Sequence, residues 1–151
     1  MFKKLIFPAI ILFLASGFWS CQVQIDPEAE KGAIKLLVQT QLNAVIDASV
    51  EGEAAVWAQT PYIVRKDVVG WDSILVHYEK SFGDWLNDPE NNQIDMFTAS
   101  NFDIYINGNF ASVFHDEHGE GIMNGEEFSI HHRVHKYVEK IEGEWKIITL
   151  F

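Results

Sequence analysis

At Ile94 the hydrophobic pattern of this chain changes period, and that change limits the folds open to it. Upstream, Ile34, Leu37, Val38, Leu42, Val45 and Ile46 recur at three- and four-residue steps, and so do Trp71, Ile74, Leu75, Tyr78, Phe82 and Trp85. Each set forms one apolar stripe on a helix. Downstream the period is two: Phe102, Ile104 and Ile106 alternate with Asp103, Tyr105 and Asn107. Further on, Phe128, Ile130, His132, Val134, Lys136 and Val138 share one strand face, with Ser129, His131, Arg133, His135 and Tyr137 on the other. Helices first and long antiparallel strands after predict an α+β domain, a curved sheet with the helices on one face.

Punctuation refines the order. Asp26-Pro27 predicts a helix start, with Asp as N-cap and Pro in the first turn. Gly52 marks the expected break, followed by a short helical piece over Glu53–Gln59 and a brief strand over Tyr62–Arg65 after Pro61. Gly70 precedes the second long helix, and Asn87–Gln93 reads as a loop. Asn107-Gly108-Asn109 supplies hairpin chemistry, and Glu142-Gly143 turns the last hairpin, whose final strand is Trp145–Phe151. The glycine- and acid-rich stretch Asp116–Glu127 is expected to be the tip between two long strands.

The first twenty residues read as an address. Lys3-Lys4 precede the apolar run Leu5–Leu14, which is too short to span a bilayer but suits the core of a secretory signal. The only cysteine, Cys21, falls where that signal should end. The stretch resembles a bacterial lipoprotein signal, with Ser20 as the small residue before an acylated Cys21; ordinary secretion with cleavage after Ala15-Ser16-Gly17 is the alternative. Residues 1–20 are therefore expected to be a signal peptide, 21–27 a lipid-anchored linker, and 28–151 the domain. The expected location is the bacterial cell envelope, membrane-anchored, or secreted and soluble on the alternative reading. Lipid chains would tether the domain through their buried methylenes.

Composition excludes partners more readily than it names them. The chain has 22 acidic and 11 basic residues and a formal charge of −11, a surface that repels phosphate backbones and anionic headgroups. Nucleic acid is not an expected partner, and the membrane is one only through the anchor. A lone cysteine forms neither an internal disulfide nor a thiolate metal site. Histidines gather at His115, His118, His131, His132 and His135. His131 and His135 face opposite to His132, however, and His115–Glu120 falls in the expected tip, so no metal site is expected. Nothing in the sequence implies a cofactor.

One ordered set of motifs resembles a known family: the broken N-terminal helix; the helix opening at Gly70-Trp71-Asp72; Asn101 with Gly108 and Ala111; and the strand ending Glu139-Lys140, then Gly143-x-Trp145-Lys146-Ile147. Over residues 28–151 the chain resembles the nuclear transport factor 2-like superfamily, in its SnoaL-like and association-domain branch. The resemblance implies a cone, a strongly bent antiparallel sheet wrapped around N-terminal helices, with a pocket between them. Members include isomerases, dehydratases, polyketide cyclases and association modules, so function must be argued from the site. The resemblance places Lys136 facing the pocket, and strand alternation takes His132 to the same face. It also brings Trp57, Tyr62 and Tyr78 to the mouth, aromatic walls suited to a small, partly apolar ligand. On an enzymatic reading His132 or Asp103 is the candidate base, and Tyr62 or Lys136 the group that stabilises developing charge. The alternation leaves Asp103 equally well in solvent. A homodimer through the sheet's outer face, with Arg133, His135 and Tyr137, is the expected assembly.

Overall fold

The computed structural model describes residues 26–151. Asp26 caps α1 (Pro27–Ile46), its side chain accepting the Glu28 amide at 3.0 Å, and Glu28 and Glu30 in the first turn favour the positive end of the helix dipole. The buried stripe of α1 is Ile34, Val38 and Leu42, joined by one amide, Gln41. The helix ends at Asp47 rather than at Gly52. Ala48 turns through a positive φ of 47°, and Ser49 caps α2 (Val50–Val56) by accepting the Gly52 amide at 3.0 Å. Gly52 has a packing role instead: a Cβ there would sit 2.7 Å from the Ala44 Cβ, so its bareness lets α2 lie directly on α1.

Two short strands, β1 (Val64–Arg65) and β2 (Val68–Val69), make a small hairpin, and α3 (Trp71–Asn87) follows. On α3, Trp71, Ile74, Tyr78 and Phe82 face the core. The rest is sheet: β3 (Asn92–Asn107), β4 (Phe110–Met123), β5 (Glu126–Ile141) and β6 (Glu144–Leu150), in the order β2-β1-β6-β5-β4-β3. All neighbours are antiparallel except β1 and β6, which run parallel with Val64 opposite Thr149 and Arg65 opposite Leu150.

The tip expected over Asp116–Glu127 is much smaller. β4 continues to Met123, and only Asn124-Gly125 turn the chain, both at positive φ, as a two-residue hairpin requires. The acidic and glycine residues of this stretch misled the composition argument. Those glycines serve the sheet: a Cβ on Gly121 would lie 2.1 Å from the Gln93 carbonyl, so β3 can approach β4 there only if the residue is glycine. Register shifts at Ile94/Met96 and Ser100/Asp103 in β3, and at Tyr137/Val138 in β5, bend the sheet into its cone.

The inner face carries Ala111 and Val113 of β4, Val138 of β5, and Trp145 and Ile147 of β6, packed in one core with Val56, Trp57, Ile74 and Tyr78; Val134 of β5 is buried beside them. Each wholly buried Val or Ile contributes about 1.5–3 kcal/mol of apolar transfer. The signal peptide and Cys21 anchor expected from the sequence lie outside the described residues.

Candidate functional site

Where the sheet bends over α1, its inner face turns polar. His115 and Glu117 continue the inward series of Ala111 and Val113 on β4, and Lys136 sits between Val134 and Val138 on β5. From the helices, Gln41 of α1 and Glu53 of α2 point into the same space. All five are buried, with Lys136, His115 and Glu53 wholly out of solvent. Charges so placed persist only if paired and hydrogen-bonded.

Pairing here is nearly complete. The Lys136 ammonium donates to Glu117 Oε1 at 2.8 Å and to Gln41 Oε1 at 3.0 Å. The Gln41 amide donates onward to Glu53 Oε1 at 3.1 Å, and Trp57 Nε1 donates to Glu53 Oε2 at 2.8 Å. Burial alone would raise the Glu117 pKa. The His115 hydrogen bond and the Lys136 charge outweigh it and hold the carboxyl at about 2. Burial draws Lys136 down from its ordinary value, but contact with Glu117 keeps the pair ionised. Burial pushes Glu53 the other way, up from the usual carboxylate range, against its hydrogen bonds from Trp57, Tyr78 and Gln41.

His115 is fixed by what surrounds it. Its Nε2 lies 2.9 Å from Glu117 Oε1, and an ionised carboxylate can only accept, so the hydrogen belongs on Nε2. Nδ1 is buried without a partner, and the ring stacks on Phe102 at 5.2 Å. Protonating Nδ1 would leave a buried N–H with no acceptor. Burial accordingly depresses the imidazole pKa and the ring stays neutral.

Beside this polar floor lies a pocket of about 390 Å³ between α1, β1 and the bend of β4 and β5. Gln41 and Glu117 reach it from below; Leu42, Val45, Phe97, Val134 and Leu150 supply apolar walls; Arg65, Lys66 and His132 stand at its edge. His132 faces Glu117 directly across the β4–β5 ladder, with Nε2 3.5 Å from Glu117 Oε2. A size of 300–1,000 Å³ with a few convergent polar groups is typical of small-molecule sites.

The residues singled out from the sequence divide between this site and elsewhere. His132 lines the pocket, half exposed, and Lys136 lies beneath it; both converge on Glu117. Trp57 and Tyr78 are core residues behind the floor, at 1% and 2% exposure, tied to it through Glu53. Tyr62 is 55% exposed and does not line the pocket: Ile63 takes the inward position, so Tyr62 points out and donates to Glu139 at 2.7 Å. Asp103 lies on the outer face, paired with Arg133 at 2.5 Å. Sequence reasoning missed Gln41, Glu53, His115, Glu117 and Arg65. Gln41 stands three residues after Val38 inside the apolar stripe, and His115 and Glu117 keep the two-residue step of Ala111 and Val113. Both patterns marked these polar residues as inward-facing.

No protein-family model matches the sequence, nor does any curated protein. Solved structures do. A nuclear transport factor 2-like superfamily protein from Salmonella enterica superposes with a TM-score of 0.69 at 17% identity, covering 83% of this chain and 90% of that one. A protein of unknown function with the same fold from Pseudomonas putida gives 0.64 at 17% identity over 82% and 84% of the two chains. A protein provisionally named a dehydratase of this family, from Streptomyces avermitilis, gives 0.67 at 13% identity over 83% and 95%. Three helices set into a strongly curved six-stranded sheet, matched along most of each chain, give residues 26–151 the nuclear transport factor 2-like fold.

Proposed function

We propose that the domain binds a small, partly apolar molecule in the pocket above Glu117, and that it does so in the bacterial cell envelope, tethered through Cys21. One observation carries the binding reading: apolar walls of Leu42, Val45, Phe97 and Leu150 stand over a floor of ionised Glu117 and Gln41 whose geometry Lys136 holds rigid. The floor is organised before any ligand arrives, so binding need not order it. Mass spectrometry of molecules that co-purify with the protein tests the reading. Recovery of a small amphipathic compound, lost when Leu42 or Val45 is replaced by Asp, supports it; identical extracts from wild type and variant sink it. Supporting the location are the basic and apolar order of residues 3–14 and the single cysteine after it. Palmitate labelling of the wild type and not of Cys21→Ala is the expected outcome, and an unlabelled wild type refutes the anchor.

A specific contact favours an enzymatic version. His132 Nε2 stands 3.5 Å from Glu117 Oε2 at the pocket edge, where an imidazole oriented by a carboxylate has the placement of a general base. Turnover by a proton-abstraction reaction would vanish in both His132→Ala and Glu117→Gln. Supporting a homodimer is an aromatic patch on the outer face, where Phe114 stacks on His135 at 4.0 Å beside exposed Tyr105 and Tyr137. Sedimentation of Tyr105→Glu and Tyr137→Glu as monomers, against a dimeric wild type, is the expected result.

A further inference from the structure

We infer that Arg65 is the anion-binding end of the pocket and that the ligand is a small carboxylic acid with an apolar body. This rests on the binding reading above and names the class of molecule that the site takes. The chain has two arginines, and they are used in opposite ways. Arg133 also borders the pocket, but its guanidinium is spent on protein acceptors: Asp116 Oδ1 at 2.9 Å, Asp103 Oδ2 at 2.5 Å and the Asn101 carbonyl at 2.8 Å. Arg65 makes no ion pair among the described residues, although acidic side chains outnumber basic ones two to one. Its one hydrogen bond runs from Nε to the Tyr78 hydroxyl at 3.2 Å.

That contact orients the side chain and leaves its fork free. The guanidinium carbon lies 5.0 Å from the centre of the Tyr78 ring, so the plane is both stacked and tethered. β1 is pinned in turn by its parallel pairing to β6, with Arg65 opposite Leu150 and the Lys66 amide donating to the Leu150 carbonyl at 2.9 Å. Neighbouring carboxylates are committed elsewhere. Glu53 is occupied by Gln41 and Trp57, and Glu117 by Lys136 and His115. Among the described residues the two terminal nitrogens of Arg65 have no hydrogen-bond partner, and Arg65 and Lys66 both line the pocket. A planar fork of N–H donors matches a carboxylate in two parallel hydrogen bonds, and the walls of Leu42, Val45, Phe97 and Leu150 take an alkyl or aryl body.

Titration calorimetry of the full-chain protein with arylalkanoic acids, benzoate to 4-phenylbutyrate, and with the matching primary amides tests the assignment. The acid of the best-fitting length is expected to bind about tenfold tighter than its amide, since hydrogen bonds to charged groups exceed neutral ones by that much. Arg65→Gln is expected to remove the preference for the acid while leaving the amide's affinity in place. Arg65→Lys, which keeps the charge and lacks the fork, is expected to lose most of the preference, so the result does not hang on one variant. Acid and amide binding alike would overturn the carboxylate assignment and leave the pocket reading standing. A preference for acid unchanged in both Arg65 variants would overturn the role of Arg65. Failure of every acid and amide to bind would overturn the pocket reading, and this inference with it.

Discussion

Replacing Lys136 by Met isolates its buried ion pair with Glu117. Met fills much of the same volume, so the main loss is the charge that Glu117 leans on. Removing one partner of a buried ion pair strands the other, which costs about 3–5 kcal/mol. For a domain of this size that corresponds to a fall of roughly 10–20 °C in Tm. Acid titration gives an independent handle on the same pair. The Glu117 pKa lies at about 2 in the folded protein against a reference of 4.5. Because it is depressed on folding, its contribution is present above the unfolded value and is lost as pH falls from 4.5 towards 2. The difference amounts to about 3 kcal/mol, partly offset by the burial cost of Lys136. Urea denaturation followed by circular dichroism at a series of pH values measures both quantities. The wild type should lose stability steeply on the acid limb; Glu117→Gln, uncharged throughout, should lose that part of the slope. A Lys136→Met variant within about 1 kcal/mol of wild type would refute the reasoning, since it would mean Glu117 takes up a proton or finds water at little cost.

Other expectations follow from single contacts. Gly121→Ala should destabilise the fold by several kcal/mol, because the new methyl meets the Gln93 backbone rather than a movable side chain; a melting temperature near wild type would show that β3 can move away. Asp103→Ala should leave ligand affinity unchanged, since Asp103 is exposed on the outer face and does not line the pocket, and any loss of binding beyond twofold would place it functionally in the pocket. Tyr78→Phe should weaken binding of a carboxylate probe while sparing the amide, because Arg65 loses the acceptor that orients it; equal weakening of both would point to general loosening of the core.

Much of the fold could be read from hydrophobic period alone, and the reasons for success and failure are physical. Trp71, Ile74, Tyr78 and Phe82 mark a buried helix face because only helical spacing lines them up, and the structure buries those four. Boundaries set by glycine were less dependable. Gly52 has the residue type of a helix break, yet its job is contact: it lets two helices touch, while the turn falls at Ala48, whose positive φ its residue type does not signal. The site was legible where polar residues sat at apolar steps, as Lys136 does between Val134 and Val138. It was hidden where residue type was trusted over spacing. His115 and Glu117 lie in a stretch rich in acids and glycines and were assigned to a solvated tip, although their step from Val113 already pointed them inward. Arg65 carried no signal of its own. The brief strand that carries it is legible after Pro61, but its place in the pocket depends on a parallel pairing to Leu150 that no local pattern encodes.

That parallel pairing has a bearing on timing. β1 and β6 are separated by α3 and three long strands, and a contact of such long sequence separation forms late, after the chain between its members has been ordered. Until β6 is in place, nothing holds Arg65 opposite Leu150 or draws the Lys66 amide onto its carbonyl. A chain that has not yet placed β6 thus carries the helices and the first hairpin of the sheet without the edge that positions Arg65. If the pocket takes a ligand as proposed, a molecule added during refolding is expected to bind only after the slowest phase, once β6 has closed on β1.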